Sequence, residues 1–67
     1  MISQVYIKNV NLNDKNFIEA VLKMYPVHYT INKNTITLFD VPEELYNDLI
    51  DFKNDLKREG KTIIIYT

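Results

Sequence analysis

Few side chains in this sequence are equipped for covalent chemistry. There is no cysteine, Ser3 is the only serine and His28 is the only histidine. Nucleophilic catalysis needs a nucleophile, a base and a group that orients the base. In a hairpin that pairs Ile31 with Ile36, His28 lies opposite Phe39 and the side chain of Asp40 points to the other face, so no orienting acid stands beside it. Gly60 is the only glycine, which excludes a glycine-rich phosphate loop. No enzyme, cofactor or structural zinc site is expected from this inventory. The chemistry that remains is ionic. Glu44, Asp48, Asp51 and Asp55 recur at i, i+4, i+7 and i+11, so these carboxylates line a single helix flank. One flank cannot wrap a cation with six or more oxygens, which makes it a poor metal site. It suits the basic surface of a partner, such as the nucleic-acid groove of an enzyme, and it serves equally as a solvated flank that keeps a small protein soluble.

The element that carries this row reads from Asp40 to Gly60. Leu45, Leu49, Phe52 and Leu56 form an apolar seam on a 3.6-residue repeat, one position behind the carboxylates. Asp40 with Glu43 has capping-box spacing, Pro42 suits a first turn, and Lys57, Arg58 and Gly60 mark the end. Ahead of it, the alternation of Met1–Val10 predicts a half-buried strand. Asn13 is placed to cap a helix over Asp14–Tyr25, with Leu12 and Phe17 as a hydrophobic staple and Pro26 as its stop. That helix is expected to turn Phe17, Ile18, Ala20, Val21, Leu22 and Met24 inward and to expose a Glu19–Lys23 pair. Val27–Val41 reads as a β-hairpin. A loop centred on Lys33-Asn34 pairs Ile31 with Ile36 and Tyr29 with Leu38, putting the apolar residues on one face. Lys33 is a poor residue for positive φ, which points to a loop of four residues. Lys61–Thr67, rich in isoleucine, completes the sheet as a last strand.

The order β-α-β-β-α-β is the split β-α-β pattern of the ferredoxin-like fold. The expected architecture is α+β: a four-stranded antiparallel sheet in spatial order 4-1-3-2 with two helices on one face, in a single domain over residues 1–67. Val5, Ile7, Tyr29, Ile31, Ile36, Leu38, Ile63 and Ile65 would meet the helices. A chain of 67 residues with 46% hydrophobic side chains folds, but on a small core, which favours self-association. A net charge of −1 gives no basic footprint for duplex DNA or a membrane. No apolar run approaches the roughly 20 residues needed to span a bilayer, and no signal peptide is visible, so a cytoplasmic location is expected.

The open face of such a sheet would display Tyr6, Lys8, His28, Thr30, Thr37, Phe39, Ile64 and Tyr66, more apolar than solvent requires. Val5-Tyr6-Ile7-Lys8-Asn9-Val10 resembles the short ribonucleoprotein motif on the first strand of RNA recognition motif domains. That resemblance implies a base-stacking role for Tyr6 and single-stranded nucleic acid as a partner. The family's longer motif, with its basic residue, glycine and interleaved aromatics, is missing from Thr35–Asp40, where only Phe39 is placed to stack. The last strand should be an edge that Lys61 alone guards, so pairing with a second copy or another protein's strand is expected. Richness in Asn, Ile and Lys suggests an A+T-rich gene of a bacterium, phage or mobile element. The leading expectation is a non-enzymatic interaction protein, a regulator or inhibitor that docks on another protein. A single-strand nucleic-acid binder and a self-associating assembly subunit are the alternatives.

Overall fold

The computed structural model describes residues 1–67. Its elements are β1 (Ile2–Lys8), α1 (Leu12–Leu22), β2 (His28–Asn32), β3 (Thr35–Val41), α2 (Glu43–Arg58) and β4 (Ile64–Tyr66). The fold is α+β, and the four strands form one antiparallel sheet in the order β2-β3-β1-β4. Val5, Ile7, Ile36, Leu38 and Ile65 share one sheet face, where they join Ile18 and Leu22 of α1 and Leu45, Leu49 and Leu56 of α2 in a single buried core. Val41, at the end of β3, and Val10 and Ile63, from flanking segments, complete it. Tyr29 and Ile31, on the edge strand β2, are only half-buried. The accessible surface of 4438 Å² agrees with the roughly 4,450 Å² expected of a folded monomer of this mass. No helix is long and apolar enough to cross a membrane.

The hairpin register is the one that alternation dictates, with Ile31 opposite Ile36 and Tyr29 opposite Leu38. Its loop is shorter than expected. Asn32 pairs with Thr35, so Lys33 and Asn34 alone make the turn, and Lys33 takes φ +56°. The Val10 N–H donates to the Asn34 carbonyl (3.1 Å), which ties this turn to the end of β1 and helps hold Lys33 in a conformation it would not choose.

Both helices start elsewhere than their expected caps. Asn11, not Asn13, caps α1: its Oδ1 accepts the Asp14 N–H at 2.8 Å. The helix stops at Leu22, and short bonds from Met24 N to Val21 O and from Tyr25 N to Leu22 O tighten the exit. Pro26 expels Tyr25 from helical geometry, and the turn before it is lost as well. With that phase Ile18 and Leu22 face inward, whereas Phe17 is 54% exposed, Met24 81% and Leu12 66%. The staple between Leu12 and Phe17 does not form. Asp40 does not cap α2 either. It lies in β3 with φ +53°, and Pro42 is the N-cap without a side-chain bond. The proline itself is the reason, since it holds Val41 in the extended region and the helix cannot begin before it.

The far end of α2 follows its sequence signals. Gly60 takes φ +81°, its N–H bonds to the Lys57 carbonyl and the Lys61 N–H to that of Leu56, which is a Schellman stop. That stop delays β4, which covers Ile64–Tyr66 rather than Lys61–Thr67. Thr62 is diverted too, because its carbonyl accepts Asn9 Nδ2 at 2.7 Å instead of joining a ladder.

Candidate functional site

The outer surface of the helical layer contains a groove. Phe17, Ile18 and Val21 of α1 line one side, and Asp48, Leu49, Phe52 and Asp55 of α2 line the other, around a volume of about 270 Å³. Ile18 and Leu49 form a buried floor. The Phe17 and Phe52 rings stack above it, with centroids 4.9 Å apart and planes inclined at 27°. Helix geometry explains why Phe52 faces this way. It belongs to the Leu45–Leu49–Leu56 seam but lies at its margin, so it is half-buried where those leucines are buried. Phe17 reaches it because the observed phase of α1 turns Ile18 into the core and leaves its predecessor at the interface.

The acidic row borders the groove. Asp48 and Asp55 lie on the lining, while Glu44 and Asp51 are exposed further round α2. The Tyr25 hydroxyl donates to Asp48 Oδ2 at 2.5 Å. That bond to a carboxylate, with desolvation and the charges of Asp48 and Glu44, pushes the Tyr25 pKa up to about 12. Asp55 meets Arg58 Nη1 at 3.4 Å, an ion pair open to solvent on both sides. The carboxylates do not converge: no group of three or more His, Cys, Asp or Glu side chains is placed to hold a metal ion. Glu19, expected to pair with Lys23, instead accepts a bond from the Tyr29 hydroxyl at 3.2 Å. Desolvation and the Glu19 charge raise the Tyr29 pKa.

No protein-family model matches the chain, and no curated protein or solved structure matches it. The reading of the site therefore rests on its geometry.

The other sequence-predicted residues lie on the opposite side of the sheet. His28 pairs with Phe39, which pairs with Gln4; Thr30 pairs with Thr37, which pairs with Tyr6 and through it with Tyr66; Lys8 pairs with Ile64. Tyr6 and Tyr66 stack on each other at 4.9 Å, and Lys8 Nζ stands 5.3 Å from the Tyr66 centroid. The Tyr6 hydroxyl donates to Gln4 Oε1 at 2.6 Å. Tyr66 thus covers one face of the Tyr6 ring and leaves only the other for a base to stack on.

The structure brings Asp48 and Asp55 to an apolar groove and sets Tyr6, Lys8, His28, Phe39, Ile64 and Tyr66 on a separate surface. Phe17 and Phe52, which their spacing in the sequence assigns to the core, line the site instead. A usable signal was present. The apolar positions expected on the first helix span more than one helical stripe, and a stripe buries only one set of them.

Proposed function

We propose that this protein is a non-enzymatic interaction module, a small regulator or inhibitor that acts in the cytoplasm by docking on another protein. The single observation that supports this is the partly exposed Phe17–Phe52 stack in a groove rimmed by Asp48 and Asp55. An aromatic anchor beside a charged rim is the usual anatomy of a protein-binding surface. The carboxylates would steer and orient a basic partner, while the aromatic pair supplies the buried contact. The succession of elements, with a sheet order that reads 4-1-3-2 from the β4 edge, supports assignment to the ferredoxin-like architecture. Composition rich in Asn, Ile and Lys supports a bacterial or phage origin and hence an inhibitor of a host enzyme.

Affinity capture from the native host, read by mass spectrometry, tests the proposal. The Asp48→Asn, Asp51→Asn, Asp55→Asn triple variant should lose the captured protein while its circular dichroism stays that of the parent. Capture of the same protein by both would remove the acidic rim from the account. Binding of a labelled single-stranded oligonucleotide that Tyr6→Ala or Phe39→Ala abolishes would replace docking with nucleic-acid recognition.

Self-association through β4 is a second reading. It is supported by the edge position of Ile64–Tyr66, whose Ile64 and Tyr66 side chains are 49% and 40% exposed. Light scattering over a dilution series, with Ile64→Lys as control, decides it: the monomer mass at every concentration removes the dimer.

A further inference from the structure

The occupant of the groove can be specified further, in an argument that rests on the docking reading above. Asp48 and Asp55 both line the groove, and seven residues of α-helix separate them by about 10.5 Å along the α2 axis. An extended segment laid beside α2 presents same-face side chains at about 6.8 or 13.6 Å, which matches the two carboxylates less closely. A helix presents positions i and i+7 on one flank at about 10.5 Å, the spacing of the carboxylates themselves. The apolar part sets a second condition. The volume of about 270 Å³ exceeds the roughly 150 Å³ cavity that accommodates benzene, so one or two large apolar side chains fit over Ile18 and Leu49. Charge is confined to the α2 side, because α1 contributes only Phe17, Ile18 and Val21 to the lining. The existing partners of the two carboxylates are no obstacle. Tyr25 engages Oδ2 of Asp48, a carboxylate with further acceptor capacity. The Asp55–Arg58 pair is exposed and weakly held.

We infer that the groove binds an amphipathic helix of the partner. Its two cations, seven residues apart, reach Asp48 and Asp55, and a large apolar side chain three or four residues after the first cation rests on Phe17 and Phe52. The partner is thus recognised as a basic helix, not as an extended strand.

Three labelled alanine-based peptides test this against the whole protein by fluorescence anisotropy at low salt. The first carries Arg at i and i+7 with Leu at i+4; the second replaces both Arg by Glu; the third places Pro in the central turn. The first should bind and weaken with added salt. Its affinity should fall about fivefold with Asp48→Asn/Asp55→Asn, the loss of two exposed ion pairs, and should fall also with Phe17→Ala. Asp51→Asn, outside the lining, should weaken it less than Asp48→Asn/Asp55→Asn does. Equal binding of the Arg and Glu peptides, equal binding of the Pro peptide, or no binding of the Arg peptide overturns the inference. If capture still depends on the carboxylates while the Arg peptide fails, the docking reading stands and only the helical occupant is wrong.

Discussion

The Tyr25 hydroxyl donates to Asp48 Oδ2 across 2.5 Å, joining the turn after α1 to the acidic flank of α2. The contact spans 23 positions in sequence. It holds a rim carboxylate of the groove in place, so its chemistry offers a direct test of the site. The bond favours neutral tyrosine, and the Tyr25 pKa rises from 10.0 to about 12. A group whose folded pKa is raised contributes stability below its unfolded pKa and loses it as pH rises through the folded one. Thermal stability should therefore fall between pH 10 and about 12. Tyr25→Phe should be less stable than the parent at neutral pH and should approach it above that window. Tyrosinate absorbance should show one fewer late-titrating tyrosine in the variant. Parallel melting curves for the two proteins from neutral pH to pH 12 would show that the bond does not form in solution.

Phe17 and Leu45 should respond differently to truncation. Leu45 is fully buried, and Leu45→Ala should cost about 2–5 kcal/mol in denaturant melts. Phe17 is 54% exposed, and Phe17→Ala should cost less than about 1.5 kcal/mol. A loss as large as that at Leu45 would mean that the ring is sealed in the core and unavailable to a partner.

Gly60 should tolerate side chains according to backbone conformation alone. Nothing lies within 4 Å of where a Cβ would stand, but φ is +81°. Gly60→Ala should cost about 1 kcal/mol and Gly60→Asn less, since asparagine accepts the left-handed region more readily. Equal melting of all three proteins would exclude a left-handed stop at this position.

Asn9 combines φ +64° with the 2.7 Å bond from Nδ2 to the Thr62 carbonyl. Asn9→Gly keeps the conformation and loses the bond, so it should cost about 0.5–1 kcal/mol. Asn9→Ala loses both and should cost about 1–2 kcal/mol. Hydrogen exchange at β4 should quicken in either variant, because this bond anchors the approach to the strand.

What was legible in the sequence was what neighbouring residues decide among themselves. The seam Leu45–Leu49–Leu56, the stop at Gly60 and the pairing of Ile31 with Ile36 follow from periodicity, backbone freedom and alternation, each acting within a few residues. The row of Glu44, Asp48, Asp51 and Asp55 was visible for the same reason. The helix starts were misplaced because several capping residues compete locally: Asn11 and Asn13 are equally suited, and only the docking of Ile18 and Leu22 onto the sheet selects between them. Packing between distant elements likewise decided that Phe17 meets Phe52, that Tyr25 reaches Asp48, and that half of the acidic row borders an apolar groove while Tyr6 is stacked on Tyr66 across the sheet. Spacing along a helix fixes which residues share a stripe; the rotation of that stripe against its neighbour is set by the whole core, and no local pattern contains it.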